Sequence, residues 1–464
     1  MRGQAKQAAA PPPGVGSFLT DALAEREEDR ILFVALPAPL APPESVWPDA
    51  PGGTAVLWAP PSGPAVAGLG EALVLAPRGP ARFARLAARV AELEEAVQVC
   101  RHPEAGAAIP SLVGGLAFTH CGADEGPWQA FGDTRFVLPR WTYVNAGKRA
   151  ALALALAPGE AVNGERLASE LHSLWQRLAG APPPPVQQDF VLPPVEDGER
   201  EAWERAVTAA LDSIASGELG KVVLSRSRLL TVADGVDVRA HVAALAGEDD
   251  AYRFAFRFKG RTFLGASPEL LVSRRGLAVA SEALAGSAAR SRATRGAGRA
   301  EDEILADPKQ RLEQQIVLDA VLRVLRPLCR SLEVPARPAV RTLRSLLHLW
   351  TPVRGRLALS VPAVELAGLL HPTPAVGGDP VAAAMRWLQR RESEPRGWFA
   401  GPVGRLSLGG DGELAVALRC ALVAGTSLRV YAGAGIVAGS SAEAEFDETE
   451  LKLRSALNAL GFTP

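Results

Sequence analysis

Residues 410–461, GDGELAVALRCALVAGTSLRVYAGAGIVAGSSAEAEFDETELKLRSALNALG, decide the fold class. Two apolar runs in this segment, 413–423 and 428–437, are separated by turn-forming residues and predict a pair of adjacent strands. The remainder predicts a helix that begins near Ser440 or Ser441 and stops at Gly461. Strands joined directly to each other, with a long helix kept separate, favour an α+β fold over repeated βαβ units.

The same pattern continues upstream of this segment. Further strands are predicted at 222–230, 253–258 and 262–265, and helices at 81–96, 199–216 and 300–326. Pro327 ends the longest of these helices, because proline cannot continue a helical hydrogen-bond ladder.

Composition divides the chain into four parts. Residues 1–16 are mainly Ala, Pro and Gly and predict a disordered tail. Residues 17–180 alternate strand-like runs with Gly and Pro breaks and form the N-terminal part of the fold. Residues 181–196, with four consecutive prolines, predict a linker, and 197–464 form a C-terminal core that carries most of the motifs.

Charge and hydropathy exclude several classes of function. The 464 residues carry a net charge of -1, which argues against electrostatic binding to nucleic acid or to an anionic membrane. No apolar run reaches the roughly 18 residues of a transmembrane helix, and the N-terminus lacks the apolar stretch of a secretory signal. The four cysteines lie far apart, which predicts neither a disulfide framework nor a zinc site. We expect a cytoplasmic protein.

Two ionisable residues occur in strongly apolar surroundings. Lys221 opens the apolar run GKVVLS, where burial would favour the neutral amine and allow it to act as a base. The alternative is a strand-edge lysine whose amine reaches water. Glu269 in FLGASPELL could have a raised pKa and act as an acid. Its alternative is a turn carboxylate or helix cap.

Three carboxylates predict a metal site on helices. Glu313 lies on the apolar stripe of its helix and needs a metal or a cationic partner, such as an arginine. Glu445, Glu448 and Lys452 share one edge of the last helix, and hard oxygen ligands of this kind suit Mg²⁺. The alternative is an ordinary ion pair between Glu448 and Lys452 on a solvated face.

An anion site is predicted on the two C-terminal strands. Arg419 lies among alanines on one strand face, where it could hold an anionic ligand or pair with a protein carboxylate. Residues 432–435, AGAG, leave room for a ligand to approach the backbone. His348 and His371 each follow two leucines, and a buried, hydrogen-bonded histidine is the simpler interpretation of both.

Nine motifs in this order resemble those of the chorismate-utilising enzymes, and among these most closely the isochorismate synthases. They are GKVVLSR (220–226), FLGASPELLV (263–272), ALAGSA (283–288), LLHLWTP (346–352), LLHPTPAVGG (369–378), RGWFAGPVG (396–404), GDGELAVALRCA (410–421), YAGAGIV (431–437) and EAEFDETELK (443–452). The resemblance is strong over 198–462 and weaker upstream. It implies a single large α+β fold of two facing, mostly antiparallel sheets with helices outside. It also implies one Mg²⁺ and one chorismate in the cleft.

The resemblance implies a role for each candidate residue. Lys221 matches the base that activates water for attack at ring C2, and Glu269 matches the acid that protonates the departing C4 hydroxyl. Glu313 and Glu448 match Mg²⁺ ligands, with Glu445 in support. The positions that match substrate-binding or cleft-lining groups are Gly286, Ser287, His348, Arg419, Gly433, Gly435 and Lys452.

Two positions favour water as the nucleophile. Ammonia-using relatives carry Gln at the position of Lys221, and aminodeoxychorismate synthases carry a nucleophilic Lys at the position of Ala285. We therefore expect no glutamine amidotransferase partner, and nothing in the sequence requires more than a monomer. The expected activity is that of an isochorismate synthase. The alternatives are a salicylate synthase, which also eliminates pyruvate, and a non-catalytic chorismate-binding protein.

Three positions depart from the family pattern. Gln310 stands where an acidic residue is frequent, and Gln314 replaces the usual His after Glu313. The first could weaken support of the metal. Phe399 replaces a Tyr common in salicylate-forming relatives. The long N-terminal part is typical of menaquinone relatives and FLGASPELL of siderophore relatives, so both pathways stay open.

Overall fold

The computed structural model describes residues 10–49, 52–106, 108–120, 126–182, 184–189, 192–232, 235–289, 297–342 and 346–463. The helices in these ranges are α1 (Pro13–Ala24), α2 (Arg82–Ala96), α3 (Gly164–Ala179), α4 (Asp197–Ala215), α5 (Val238–Ala244), α6 (Ala297–Ala306), α7 (Pro308–Leu325), α8 (Ala363–Leu370), α9 (Val381–Arg391) and α10 (Ala442–Ala459).

The strands, most of them short and apolar, are β1 (Ile31–Ala38), β2 (Ala55–Ala59), β3 (Ala65–Leu69), β4 (Leu73–Leu75), β5 (Val97–Arg101), β6 (Ser111–Leu116), β7 (Thr134–Leu138), β8 (Trp141–Asn145), β9 (Ala150–Leu156), β10 (Gln188–Asp189), β11 (Lys221–Thr231), β12 (Tyr252–Phe258), β13 (Arg261–Ser267), β14 (Leu270–Arg275), β15 (Ala278–Ala289), β16 (Cys329–Glu333), β17 (Ala339–Thr342), β18 (Leu346–Leu357), β19 (Gly378–Asp379), β20 (Pro402–Ser407), β21 (Gly412–Val416), β22 (Cys420–Ala424), β23 (Ser427–Ile436) and β24 (Phe462–Thr463).

Two large sheets, both mostly antiparallel, contain nearly all of these strands. The twelve-stranded sheet has the order β19-β11-β23-β22-β13-β12-β2-β3-β8-β9-β1-β5, and only its edge pair β1 and β5 is parallel. The ten-stranded sheet has the order β16-β18-β15-β14-β21-β20-β6-β7-β4, with β17 paired to β18. Both sheets run continuously from C-terminal into N-terminal strands, joined where β12 pairs with β2 and where β20 pairs with β6, so the expected single α+β fold is confirmed.

Apolar side chains fill the space between the two sheets, and a second group of apolar side chains covers the outer face of the twelve-stranded sheet. Phe254, Phe256 and Trp398 are fully buried in the core between the sheets. Leu453 and Leu457 of α10 belong to a second cluster that covers the other face of the twelve-stranded sheet. Each such side chain contributes about 1.5–3 kcal/mol by leaving water, so this core fixes the position of the strands that carry the site.

The predicted strand over 413–423 is wrong, because the chain changes sheets inside it. Strand β21 pairs with β14 and β20 in the smaller sheet, whereas β22 pairs with β13 and β23 in the larger one. Residues 417–419 make the crossing, and Arg419 adopts a left-handed backbone with φ 48°. Alternating apolar residues continue through the crossing because it is buried, so hydropathy shows no break there.

The predicted helix over 300–326 is two helices. Helix α6 ends at Ala306, and α7 begins at Pro308, with the Asp307 carboxylate accepting hydrogen bonds from the backbone N–H groups of Lys309 and Gln310. Proline at the first helical position and aspartate as the N-cap are both favourable at a helix start. The Asp307-Pro308 pair is therefore a helix boundary that the sequence itself indicates.

Residues 13–16 of the predicted disordered tail are helical, because α1 begins at Pro13. Residues 1–9 of that prediction lie outside the described residues. Within the predicted linker, β10 pairs in parallel with β24. No helix in the described part of the chain combines the length and the apolar character that a membrane crossing requires.

Candidate active site

A cavity between the two sheets brings together residues that are far apart in the sequence. It encloses about 790 Å³ of space, part of it open to solvent. Ten residues proposed from the sequence line it: Lys221, Glu269, Gly286, Glu313, His348, Arg419, Gly433, Gly435, Glu448 and Lys452. Strands β11, β15, β18 and β23 and helices α7 and α10 therefore converge on one site.

Lys221 is sealed inside the protein, and the interpretation of an amine that reaches water is wrong. Its side chain is only 2% exposed, and Nζ lies 3.9 Å from Oε1 of Glu313. The short strand β19 covers this edge of the sheet: a Cβ on Gly378 would lie 2.4 Å from the Lys221 carbonyl oxygen. Gly435 leaves room for both side chains, since a Cβ there would lie 2.8 Å from Glu313 Oε1 and 2.9 Å from Lys221 Cε.

Glu269 lies where the chain passes from β13 in the larger sheet to β14 in the smaller one. The carboxyl is buried, and burial raises its pKa to about 8, with the nearby Glu282 carboxylate adding to the rise. The expected raised pKa is confirmed. Glu269 is therefore largely protonated at neutral pH, which is the state a general acid requires.

Two neighbouring sheet crossings hold Glu269 and Arg419 together. The backbone N–H of Val416 donates to the carbonyl of Glu269, and that of Ala266 donates to the carbonyl of Arg419. Each crossing thus supplies one functional side chain to the space between the sheets. This arrangement corrects the prediction that Arg419 sits on a regular strand face.

Arg419 and His348 are hydrogen-bonded to each other. Arginine can only donate, so Nε2 of His348 accepts from Arg419 Nη2 at 3.1 Å, and Nδ1 donates to the carbonyl of Gly286 at 3.1 Å. Burial, followed by the Arg419 charge, lowers the pKa of His348 to about 3, so the imidazole is neutral. Arg419 also donates to Ser455 Oγ at 2.6 Å. His348 is thus buried and hydrogen-bonded, as expected.

Gly286 occupies an irregularity in β15. The register between β15 and β18 shifts between Ala285 and Ser287, and Gly286 has φ 73°. A Cβ at this position would lie 2.9 Å from Oε1 of Gln310. The backbone of Ser287 pairs with His348, but its side chain lies outside the described residues.

Helices α7 and α10 supply the carboxylates. Glu313 is buried and has Lys221 as its cationic partner, not an arginine. Glu448 forms the expected i,i+4 pair with Lys452 at 2.6 Å, and Lys452 Nζ also donates to the Gly433 carbonyl. The ion pair therefore forms, but it lines the cavity and does not lie on a solvated face.

Glu445 differs from the other two carboxylates. It is buried and accepts a hydrogen bond from Lys309 Nζ at 2.5 Å. Burial raises its pKa, and the Lys309 hydrogen bond opposes that rise. In this arrangement Glu445 is held by Lys309 beside Glu448, one helical turn away.

The cavity favours an anionic occupant. Lys221, Lys452, Arg396 and Arg419 line it, against the carboxylates Glu313 and Glu448 and the protonated Glu269. Burial lowers the pKa of Arg419 only to about 10, so it stays charged at neutral pH. Fixed cations in a site that excludes water bind anions far more strongly than the same groups in solution.

Comparison with known proteins identifies the family. A family model described as chorismate binding enzyme matches residues 17–461. The chain belongs to the chorismate-binding enzymes. It is similar to the salicylate biosynthesis isochorismate synthase of Pseudomonas aeruginosa, with 36% identity over 84% of this chain and 82% of that protein. It is also similar to isochorismate synthase DhbC of Bacillus subtilis, with 43% identity over 57% of this chain and 68% of that one.

Solved structures of chorismate-binding enzymes have the same fold. The menaquinone-specific isochorismate synthase MenF from Escherichia coli matches with a TM-score of 0.75 and 27% identity, over 96% of this chain and all of that chain. Anthranilate synthase component I from Streptococcus pneumoniae matches with a TM-score of 0.64 and 22% identity, over 88% and 93% of the two chains, which shows the shared fold. The resemblance to isochorismate synthases is thus confirmed.

Two of the departures from the pattern of chorismate-binding enzymes have packing partners here. Gln314 is buried, and its Nε2 donates to Thr351 Oγ1 at 2.7 Å, so a neutral amide satisfies this position. Phe399 stacks on Tyr431 with ring centres 5.2 Å apart, and both rings line the cavity. The hydrogen bond to Thr351 explains why an amide is accommodated at Gln314, and the stacking on Tyr431 explains why a ring without a hydroxyl is accommodated at Phe399.

Sequence reasoning missed Arg396. Its buried guanidinium donates to the carbonyls of Val376 and Val223 at 2.7 Å and to the Glu392 carboxylate, and it lies over the Phe118 ring at 4.2 Å. It thus ties the strand of Lys221 to the cavity wall. The motif RGWFAGPVG begins at Arg396, but three of its four partners are distant in sequence, so no local pattern shows this role.

The arrangement of Glu313 and Glu448 decides whether these carboxylates fit a metal ion. Within the described residues, no group of three or more Asp, Glu, His or Cys side chains is arranged to hold a metal ion. Glu313 and Glu448 nevertheless line one cavity from two different helices. Two carboxylates completed by water and substrate oxygens are a usual ligand set for Mg²⁺, so these residues fit that ion.

Proposed function

We propose that this protein is an isochorismate synthase, which converts chorismate reversibly into isochorismate. One observation carries the proposal: a buried lysine, Lys221, and a protonated carboxyl, Glu269, line the same cation-rich cavity. The relatives named as isochorismate synthases support it. Exchange of a hydroxyl between two ring carbons needs one base and one acid at separate positions, and this cavity offers such a pair.

The substrate is held by its two carboxylates. Chorismate is a dianion, and Arg419 and Lys452 are suited to bind its carboxylates with charge-assisted hydrogen bonds. The neutral His348 accepts from Arg419 and thereby fixes the direction of the guanidinium. Gly433 and Gly435 allow the flat ring to approach β23 closely, because they carry no side chains.

The chemical step uses Lys221 and Glu269 in turn. In its neutral form, Lys221 takes a proton from water as the water oxygen bonds to ring C2. Glu269 gives its proton to the C4 hydroxyl, which leaves as water while the ring double bonds shift. The reverse reaction uses the same two groups with the proton transfers reversed, so each residue serves in both directions.

Glu313 and Glu448 would hold Mg²⁺, with Glu445 and Lys309 supporting Glu448 from the neighbouring turn. The bound ion would neutralise a substrate carboxylate and withdraw developing negative charge. Carboxylate oxygens in a cavity that Arg419 and Lys452 also line suit this role. Glu313 also keeps Lys221 in place through their ion pair.

The products formed without ammonia test this function directly. Incubation of the protein with chorismate and Mg²⁺ should give a mixture of chorismate and isochorismate that stops short of completion, since the two isomers are similar in energy. Chromatography of the mixture is the measurement, with a pyruvate assay beside it. Phe399 lacks the hydroxyl of salicylate-forming relatives, so we expect little salicylate. Salicylate with stoichiometric pyruvate would instead identify a salicylate synthase, and binding without any product would identify a chorismate-binding protein.

The pH dependence of catalysis tests the acid. Because Glu269 has a pKa of about 8 and must be protonated to act, kcat/KM should fall as pH rises above about 8. Glu269→Gln keeps the shape of the side chain but has no acidic proton, so turnover should fall about 10²-fold or more. Initial rates between pH 6 and pH 10, corrected for stability of the protein, provide the measurement. A rate that stays constant to the top of this range would exclude Glu269 as the acid.

A further inference from the structure

The buried carboxylate of Glu282 forms an ion pair with the half-buried Arg341 immediately behind Glu269. Oε1 of Glu282 accepts from the backbone N–H of Leu270 at 2.7 Å and from Nη1 of Arg341 at 2.9 Å. Nη2 of Arg341 donates to Oε2 at 2.9 Å, and Trp350 Nε1 donates to the same oxygen at 2.6 Å. Both oxygens of Glu282 and both Nη atoms of Arg341 are thus directed at fixed partners.

The same pair holds the backbone on both sides of Glu269. Arg341 Nη1 donates to the carbonyl of Pro268 at 2.6 Å, and Glu282 accepts from the N–H of Leu270. These are the residues that directly precede and follow Glu269. The contacts therefore fix the peptide groups that set the direction of the Glu269 side chain.

We propose that Glu282 and Arg341 are the positioning pair of the acid: they fix the direction of the Glu269 carboxyl and set the charge behind it. The proposal rests on the assignment of Glu269 as the proton donor. Neither residue is among those described as lining the cavity, so both act through Glu269 and not on the substrate. Three strands carry the pair and its support, with Glu282 on β15, Arg341 on β17 and Trp350 on β18.

The charges around Glu269 give the pair a measurable signature. Glu282 from β15 opposes ionisation of Glu269, whereas Arg341 from β17, Lys221 from β11 and Lys452 from α10 favour it. Burial is the largest cause of the raised pKa, and Glu282 is the next. Loss of the Glu282 charge should therefore lower the pKa of Glu269, and loss of the Arg341 charge should raise it.

Variants with opposite charge changes test the proposal. In Glu282→Gln the basic limb of kcat/KM, which is its fall at high pH, should move to lower pH. Turnover should also fall about 10-fold or more, because the contacts that hold the peptide groups beside Glu269 loosen. In Arg341→Met the limb should move to higher pH. Trp350→Phe is the matched control, because it removes one hydrogen bond to Glu282 but keeps both charges and both peptide contacts. Its basic limb should stay where it is in the unmodified protein.

A second measurement does not depend on activity. Infrared difference spectra against Glu269→Gln report the protonated carboxyl of Glu269 directly as pH is raised. Its midpoint should fall in Glu282→Gln, rise in Arg341→Met and stay unchanged in Trp350→Phe. If Glu282→Gln does not fold, the rise of the infrared midpoint in Arg341→Met relative to Trp350→Phe still tests the positioning pair.

The outcomes separate this inference from the proposed function. Shifts in the same direction for both charge variants, or no shift in either folded variant, would overturn the positioning pair. A protein that fails to convert chorismate would overturn the proposed function, while the infrared midpoints would still show whether Glu282 and Arg341 control Glu269. Opposite midpoint shifts with a matching movement of the basic limb would support both.

Discussion

Lys221→Ala should lower the turnover of chorismate at least about 10²-fold, the usual loss when a general base is removed. Lys221 is buried at the start of β11, and Glu313 is its ion-pair partner. An alanine there has no group that can take a proton from water, while Arg419 and Lys452 remain to hold the substrate carboxylates. Stopped assays of isochorismate formation measure the first effect, and titration calorimetry with chorismate measures the retained binding.

Lys148→Ala is the control for this change. Lys148 is exposed in the turn between β8 and β9, far in sequence from the cavity motifs, and its loss should leave turnover unchanged. Normal turnover in Lys221→Ala would remove this lysine from the mechanism. Loss of chorismate binding together with activity would mean that Lys221 serves binding and not proton transfer.

Removal of Mg²⁺ should abolish activity reversibly, and Glu448→Gln should raise the Mg²⁺ concentration needed for half-maximal activity by about tenfold or more. Glu448 reaches the cavity from α10 and Glu313 from α7, so an ion between them depends on both helices. Activity after EDTA treatment and readdition of Mg²⁺ is one measurement. Calorimetric titration of Mg²⁺ into the chorismate-bound protein is a second, independent of turnover.

Glu443→Gln provides the matched control for the metal site. Glu443 lies on the same helix but is exposed in its first turn, so its loss should leave the Mg²⁺ requirement unchanged. An unchanged requirement in Glu448→Gln would show that Glu448 is not a ligand. Glu445→Gln should have an intermediate effect on Mg²⁺ binding. It releases Lys309, and it should weaken Mg²⁺ binding less than the loss of Glu448.

The sequence predicted the elements with the strongest local patterns and ten residues that line the cavity, and the reasons are local. The hairpin that turns at Lys259-Gly260 has alternating apolar residues and a turn, and both are present in the structure. Ser441 caps the last helix close to where its pattern begins. Lys221 and Glu313 were recognisable because a charge in an apolar stretch needs a buried partner.

The features that could not be predicted depend on contacts between distant strands. The crossing at 417–419 is buried, so its apolar residues look like a continuous strand. Glu282 lies just outside the motif ALAGSA, but nothing in its neighbourhood indicates that Arg341 will meet it across β15, β17 and β18. Such pairs arise from the register of the sheet, which single-sequence patterns do not specify.

The single junction between N-terminal and C-terminal strands in each large sheet has a consequence for biosynthesis. Strand β6 needs β20, where Ser111 pairs with Ser407, and β2 needs β12, where Ala55 pairs with Arg257. A chain emerging from the ribosome can pair its N-terminal strands with one another, but one edge of β2 and one edge of β6 stay open until β12 and β20 have been translated. Pairings so far apart in sequence slow folding and leave edges open to aggregation. Residues 17–180 thus present, during translation, two strand edges that are paired in the complete fold.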